Sequence, residues 1–446
     1  MTPTVKEIPA PGLDLTGFAP WRFIALACCV MINMVEGFDV LSIAFTSTYI
    51  ISDWGISPKE LGFLFSAALA GMALGSILLA PMADKYGRRP IILAGLGLST
   101  LGMAAASFTP GYTALLGFRF ITGLGVGALI STLNTTIAEH ATNKHRSVWM
   151  ALFATAFPIG SALGGMLAPF LVEQFGWRSV FLAGGLVTAF LGALAYFAVP
   201  ETIAYLVTRQ PPGALRRVNA ILVRFRQAPV SEFPAASPMS KPTLLKSLKT
   251  LFQKVYFTRS MLMGVVFVFG QLTAYFILNW TPKILVDLGF AHENAVMGSA
   301  MITFGGAIGG LLAGLLGMRW DGIVIASVSY LLCFIALCFF GAVGPHLEQA
   351  LALCFLIGFF LWGGTTGKLV ALARIYPAEV RASGAGFCFA IGRIGAVLGP
   401  IMAGFLISAG VGRLTLVVSL ALPLIVVAVL MLTLRRFVGE DAAVTH

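Results

Sequence analysis

The chain has 446 residues, of which 58% are hydrophobic and only 11% are charged. A soluble domain carries about 25% charged residues because its surface faces water, so most of this chain's surface must face lipid. The net charge of +11 does not indicate a nucleic-acid partner, because the basic residues stand in short loops between long apolar runs, as cytoplasmic loops of membrane proteins do. The composition predicts an integral membrane protein whose surroundings are the lipid bilayer.

Twelve apolar runs are long enough to cross a bilayer, which takes about 20 helical residues. The first six are Phe23–Tyr49, Leu61–Ala80, Pro90–Phe108, Tyr112–Ala138, Ser147–Val172 and Val180–Val199. The last six are Arg259–Leu285, Ala295–Leu316, Gly322–Val343, Gln349–Ile375, Ala382–Ile407 and Leu414–Leu434. A long polar stretch separates the two groups. The pattern predicts an all-α membrane protein with twelve transmembrane helices in two pseudo-symmetric six-helix bundles.

The predicted organisation has five segments. They are an N-terminal tail (1–20), a first bundle (21–199), a central loop (200–257), a second bundle (258–436) and a C-terminal tail (437–446). Lysine and arginine concentrate in the alternate loops that include the central one, so both tails and the central loop are expected in the cytoplasm. Within that loop, the stretch Arg216–Arg226 is either an amphipathic helix lying on anionic headgroups or a solvated linker.

The two halves echo each other near one membrane face. Glu139 and Arg146 come just before the fifth span, and Glu379 and Arg381 come just before the eleventh. Such duplication is typical of membrane proteins whose halves rock about a central site. These two acid-and-base pairs are therefore candidate gating residues.

A charged string, Gly75–Pro90, joins the second and third spans. Asp84 is suited to accept hydrogen bonds at a neighbouring helix N-terminus, and Gly87 permits a tight reversal. Lys85, Arg88 and Arg89 are expected to pair with acids in an adjoining loop. Contacts that form in one conformation and break in another suit a gate; the alternative is a basic turn without a gating role.

This string closely resembles the signature loop of the major facilitator superfamily, and the six-plus-six spans extend the resemblance over nearly the whole chain. It implies the major facilitator fold. The loop 317–322 of the second half is a degraded copy.

A narrower resemblance is to the aromatic acid:proton symporters of that superfamily. The string Glu36-Gly37-Phe38-Asp39 is similar to their Asp-Gly-Phe-Asp, and the stretches 275–282 and 391–396 also look like theirs. The chain departs from the pattern at Glu36, and at Lys283 and Lys368, where neutral residues are expected. The resemblance implies proton-coupled uptake of an aromatic carboxylate, and the departures leave the substrate open.

The first span carries two acids in the membrane. Asp39 lies about 24 Å along the helix from Phe23 at ~1.5 Å per residue, and Glu36 is one turn earlier on the same face. A charge at this depth is costly unless it faces the interior, and burial and mutual repulsion both favour protonation. These residues are the predicted proton carriers; the alternative is a static acid paired with Arg119.

Arg119, in the fourth span, is expected to line the same half of the interior. It would neutralise Asp39 or Glu36 when they are ionised and release them when they are protonated, which would couple proton binding to motion. The alternative is that Arg119 only holds a bend of the fourth span.

Two cations in the second half are candidates for a carboxylate substrate. Arg393 offers a bidentate fork. Lys368 lies about two turns from the end of the tenth span, where its alternative is to snorkel toward the cytoplasm.

Further substrate candidates line the seventh and tenth spans. Gln271, Tyr275 and Asn279 recur every four residues and so share one helix face. Trp280 and Trp362 are expected either to stack on an aromatic substrate or to pack against other helices.

The sequence also bears on several other functions. An exporter of the same superfamily, or a transporter of a dicarboxylate or sugar acid, remains an alternative. An enzyme or receptor is disfavoured, since the sequence has no phosphate-binding loop, zinc ligands or nucleophile elbow. The sequence predicts no cofactor and no metal, a proton gradient as the energy source, and a monomer in the inner (plasma) membrane.

Overall fold

The computed structural model describes residues 20–142, 144–227, 229–233, 254–376 and 378–443. Twelve helices within these ranges are long and apolar enough to span a membrane, which confirms the predicted count there. We number them α1 to α12: Pro20–Trp54, Pro58–Leu78, Arg88–Ser107, Tyr112–His140, Arg146–Phe175, Arg178–Ala198, Lys254–Asp287, His292–Leu316, Gly322–Ala342, Leu347–Ile375, Ala378–Ser408, and α12 in two pieces, Arg413–Ala421 and Pro423–Ala443. Shorter helices are Ala80–Met82, Ala83–Tyr86, Ile203–Arg209 and Ala214–Arg224.

Several helices are longer than the apolar runs that predicted them. Helix α1 has 35 residues, or about 50 Å at ~1.5 Å per residue, against a hydrocarbon core of about 30 Å. Hydropathy marks only the part of a helix within lipid, so the predicted edge at Phe23 came too late and the edge at Tyr49 too early. The predicted N-terminal tail, 1–20, lies outside the described residues except for Pro20, and so do residue 228 and residues 234–253 of the central loop. The second piece of α12 reaches Ala443, so the chain is helical through most of the predicted C-terminal tail, 437–446.

The two halves repeat one packing pattern. In the first half α1 packs on α5 and α6, α2 packs on α4, and α3 packs on α4 and α6. In the second half α7 packs on α11 and α12, α8 packs on α10, and α9 packs on α10 and α12. Adding six to each number converts the first set of contacts into the second, so the predicted pseudo-symmetry is present in the packing.

Glycines allow the tightest of these contacts. A Cβ atom added to Gly160 of α5 would overlap the carbonyl oxygen of Met34 on α1. At the corresponding place in the second half, a Cβ added to Gly395 of α11 would overlap the carbonyl oxygen of Val268 on α7. Small residues of this kind bring membrane helices close enough for backbone contact.

The halves join each other through α2 with α11 and α5 with α8. Ser66 donates a hydrogen bond to the carbonyl oxygen of Val397 at 2.7 Å, and the rings of Tyr49 and His292 lie 4.7 Å apart. These contacts gather where α1 ends and α2 begins, and we call this the sealed end. At the opposite end, the ion pairs of Arg88 and of Asp321 each join residues of one half.

The helix Ala214–Arg224 packs against protein. Its apolar side chains Val218, Ile221 and Leu222 form a cluster with Tyr205 and Leu206. Its amphipathic character was predicted correctly, but neither a helix lying with its apolar face on headgroups nor a solvated linker describes it. The apolar face is covered by the chain itself, while Arg216 and Arg217 are exposed.

Candidate functional site

Two carboxylates lie buried at the middle of α1. Glu36 is 3% exposed and Asp39 is 1% exposed, and Asp39 lies well inside the helix that runs from Pro20 to Trp54. Both line a crevice that is too narrow for a water molecule, together with side chains of α3, α4 and α6 that include Ser99, Leu129 and Thr188. The shared face predicted from their spacing is therefore present.

The carboxylates have few polar partners. The Thr188 hydroxyl donates to Asp39 Oδ2 at 3.3 Å, while Asp39 Oδ1 and both carboxylate oxygens of Glu36 have no hydrogen-bond partner within the described residues. A buried ionised carboxylate without partners carries a large desolvation cost. Binding a proton removes most of that cost, so both groups are suited to hold protons.

Arg119 is fully buried beside them. Its Nη2 donates to the backbone carbonyl oxygen of Asp39 at 2.7 Å, its Nη1 lies 3.3 Å from Met103 Sδ, and its guanidinium lies 5.8 Å from the centroid of the Phe181 ring. The guanidinium thus holds the backbone of α1 rather than a carboxylate in this conformation. The predicted ion pair between Arg119 and the Asp39 carboxylate is therefore not formed in this conformation.

Lys368 does not snorkel. The side chain is 1% exposed, and its Nζ lies 4.4 Å from the centroid of the Phe267 ring and 5.9 Å from that of Tyr330. An amine that reached for headgroups would be exposed, so the snorkelling interpretation is wrong. The lysine points into the second half between α7 and α9.

Arg393 on α11 is half-buried and acts electrostatically on the Glu36 carboxylate across the boundary between the halves. Gln271 packs beside the neighbouring Gly392, where an added Cβ would lie 3.5 Å from Gln271 Cγ. The structure therefore brings the predicted substrate arginine toward the predicted proton site, although the sequence analysis assigned them to separate halves.

The predicted polar stripe of α7 divides into two parts. Gln271 and Tyr275 are half-buried and remain candidates for a binding site. Asn279 is buried and donates to the carbonyl oxygen of Tyr275 at 2.8 Å, so its amide is used within its own helix.

The two tryptophans serve as packing residues in this conformation. The Trp280 indole N–H donates to the carbonyl oxygen of Pro400 at 3.1 Å, and its ring meets Phe65 edge-on at 5.4 Å. Trp362 packs over Gly306 of α8, where an added Cβ would lie 2.8 Å from the indole. Of the two predicted roles, the packing one is observed.

The charged string between α2 and α3 forms the predicted network. Arg88 pairs with Asp84 at 3.0 Å and with Glu139, at the end of α4, at 3.1 Å. The second contact is a pairing of the predicted kind for Arg88, although Glu139 lies in a helix and not in a loop. Arg89 donates instead to the carbonyl oxygen of Tyr196 at 2.6 Å. Arg146, the other member of the predicted pair, is exposed at the start of α5.

Glu201, and not Asp84 as predicted, accepts hydrogen bonds at the N-terminus of a neighbouring helix, α3. Its carboxylate accepts the backbone N–H groups of Arg88 at 2.8 Å and Arg89 at 3.3 Å, where the helix dipole favours an anion. The Asp84 side chain is instead 57% exposed. Burial raises the pKa of Glu201, although hydrogen bonds from Thr202, Arg88 and Arg89 and the charge of Arg88 oppose that rise.

Gly87 is required at this turn for two reasons. Its φ is +107°, a conformation that glycine adopts at little cost, and an added Cβ would overlap Glu201 Oε2. The sequence analysis missed Glu201. The available signal was its position, directly after the apolar run of α6.

The second half has a similar group of ion pairs, but there one acid pairs with two cations, whereas in the first half one cation pairs with two acids. Asp321 accepts the N–H of Ile323 at the start of α9 at 3.0 Å and pairs with Arg374 at 3.7 Å and Arg435 at 3.4 Å. Arg381 is exposed and donates from Nε to the carbonyl oxygen of Tyr376 at 3.3 Å, while the side chain of Glu379 lies outside the described part of the structure.

Comparison with known proteins identifies the family that has this architecture. Residues 23–372 match the family model of the Major Facilitator Superfamily. The gallate transporter of Pseudomonas putida is 30% identical over 92% of this chain and 91% of its own length. The 4-hydroxybenzoate transporter of Pseudomonas aeruginosa is 30% identical over 90% of both chains, and the benzoate transport protein of Acinetobacter baylyi is 26% identical over 93% of this chain and 90% of its own.

Solved structures show the same fold. The inward-open xylose transporter XylE of E. coli superimposes with a TM-score of 0.71 at 16% identity, covering 92% of this chain and 95% of that one. A bacterial homologue of the human lysosomal transporter Spinster gives 0.69 at 17% identity, covering 95% and 97%. The chain therefore belongs to the Major Facilitator Superfamily and is a multi-pass membrane transporter, not an enzyme.

Proposed function

We propose that this transporter takes up an aromatic carboxylate together with protons by alternating access. The observation that carries the proposal is the pair of buried carboxylates on α1, Glu36 and Asp39. They form no ion pair with any described residue, although Arg119 and Arg393 act on them electrostatically. Such groups in a membrane interior mark proton and ion pathways.

The aromatic substrate class is supported by the relatives, since gallate, 4-hydroxybenzoate and benzoate are aromatic acids. Arg393 would bind the carboxylate as a bidentate fork. Gln271 and Tyr275, the half-buried polar residues of α7, would contact the rest of the molecule.

Proton binding and substrate binding are coupled because Glu36 and the substrate carboxylate both interact with Arg393. An ionised Glu36 and a substrate carboxylate compete for the same guanidinium, because both are anions within its field. Protonation of Glu36 frees Arg393 for the substrate, and bound substrate in turn favours the protonated acid. This reciprocity is the thermodynamic condition for symport.

The direction of access follows from the sealed end. If the loops rich in lysine and arginine lie in the cytoplasm, the sealed end faces the outside and the conformation described here opens inward. Both termini would then be cytoplasmic, in the inner (plasma) membrane. We further propose a monomer that uses the proton gradient as its energy source and needs no cofactor or metal.

The experiment is uptake of radiolabelled 4-hydroxybenzoate into proteoliposomes under an imposed pH gradient without ATP, with protein-free liposomes as the baseline. Symport predicts accumulation above that baseline that collapses when an uncoupler is added. Uptake that ignores the gradient and survives the uncoupler would exclude proton coupling. Extrusion driven by the same gradient would identify an exporter.

A further inference from the structure

Lys368 on α10 is a buried cation between two aromatic rings. Its Nζ lies 4.4 Å from the Phe267 centroid and 5.9 Å from the Tyr330 centroid, and we call these two rings the aromatic cage. A Cβ added to Gly270 of α7 would lie 3.3 Å from Nζ. A side chain at that position would crowd the ammonium, so the glycine keeps one side of it clear.

The charge of Lys368 has no anionic counterpart among the described residues. The ion pairs formed within the described residues do not include Lys368, and the hydroxyl of Tyr330 is engaged with Thr365 at 3.3 Å. Cation–π contacts offset only part of the desolvation cost of a buried ammonium. An anion from outside the protein would complete the site.

Lys368 and the proposed substrate residues contact the same stretch of α7. Gly270, which faces the ammonium, is the direct neighbour of Gln271, and Gln271 packs against Gly392 next to Arg393. The arrangement of a substrate that follows from these contacts is one molecule lying along this part of α7, with one end at Arg393 and the other at Lys368.

We propose that Lys368 binds a second anionic group of the substrate, so that aromatic dicarboxylates are preferred over monocarboxylates. This inference rests on the proposed function, because it takes Arg393 as the partner of the first carboxylate. A cation that has three donors and no acceptor in the described part of the chain suits a carboxylate oxygen better than a neutral ring substituent.

The test is binding of benzoate, 3-hydroxybenzoate and benzene-1,3- and 1,4-dicarboxylate to the purified full-length protein, measured by calorimetry. We expect at least one dicarboxylate to bind about tenfold or more tightly than benzoate, since a charged hydrogen bond contributes that much. Lys368→Met should remove this preference while benzoate binding persists, and Lys368→Arg should retain part of it. Lys283→Met is the matched control, because Lys283 is a cation of the same half that already pairs with an acid of the protein, Asp287.

The outcomes separate the two proposals. Benzoate binding without any preference for a dicarboxylate, or an equal loss of both ligands in Lys368→Met, would overturn the role of Lys368 and leave the proposed function intact. A preference for 3-hydroxybenzoate over both dicarboxylates would also overturn it. Failure of the wild-type protein to bind any of the four acids would count against the proposed function itself.

Discussion

The Glu36 carboxylate has no hydrogen-bond partner among the described residues, and Arg393 acts on it electrostatically from the other half. If the two compete as proposed, Glu36→Gln removes the competitor of the substrate. We expect several-fold tighter binding of an aromatic acid at alkaline pH, where wild-type Glu36 is ionised, within the range of typical coupling energies, together with loss of accumulation against a gradient. Calorimetry and proteoliposome uptake measure the two effects separately.

Asp53→Asn is the matched control for Glu36→Gln. Asp53 is half-exposed near the end of the same helix and pairs with Arg178 at 3.3 Å, and a surface pair of this kind contributes little. Both binding and uptake should stay near wild type in the control. Accumulation at the wild-type level in Glu36→Gln would remove Glu36 from the coupling.

Arg393 should determine substrate affinity. A hydrogen bond to a charged group contributes about 1.5–3 kcal/mol, so Arg393→Ala should weaken binding of an aromatic acid by about 10- to 150-fold. The affinity of Arg393→Lys should lie between those of the wild type and Arg393→Ala, because lysine keeps the charge and loses the planar fork. A dissociation constant unchanged in Arg393→Ala, measured by calorimetry, would place the substrate elsewhere.

At the scale of single elements, the start of α3 depends on a carboxylate from another part of the chain. Glu201→Ala removes the acceptor for two backbone N–H groups and should cost about 0.5–2 kcal/mol, as loss of a helix cap does. Thermal unfolding in detergent measures it, with exposed Glu232→Ala as the control. Equal unfolding temperatures for the two variants would contradict the capping role.

The pH dependence of this cap has a defined sign. Because burial raises the pKa of Glu201 above its ordinary value of 4.5, the folded protein binds that proton more tightly than the unfolded chain. The contribution of Glu201 to stability is then fully present below 4.5 and falls as pH rises through the raised pKa. Glu201→Gln should remove this fall.

The elements show what local sequence can and cannot predict. The apolar runs predicted all twelve described spans, because the need to bury backbone groups in lipid is a local constraint. Glu201 escaped prediction because its contact depends on where the end of α6 meets the start of α3. Asn279 and Trp280 were predicted as substrate candidates. The sequence does not reveal which residues of a helix pack against other helices at the sealed end. For Lys368, sequence could not say which way α10 turns it, and the structure decided between burial and snorkelling.

At the scale of the whole molecule, alternating access requires the sealed end to open. Gly404 of α11 meets the start of α2 so closely that an added Cβ would lie 2.5 Å from the carbonyl oxygen of Pro58. Gly404→Leu should force the two helices apart, shift the protein toward the open state at this end and reduce transport. Spin labels at the exposed positions Ser57 and Ala409 would report a longer distance.

Gly97→Leu is the control for the sealed end. Nothing lies within 4 Å of a Cβ added to Gly97, so a leucine there should not push two helices apart. The distance between the same two labels should not change in this variant. An unchanged distance in Gly404→Leu as well would mean that the contact between α2 and α11 does not hold that end closed.

The central claim is that substrate and protons cross the membrane together. The most direct measurement is the internal pH of proteoliposomes that contain a trapped pH-sensitive dye, when an aromatic acid is added outside with no pH gradient imposed. We predict acidification faster than in protein-free liposomes for the wild type, and the protein-free rate for Asp39→Asn. Substrate entry through the wild-type protein without faster acidification would contradict the account.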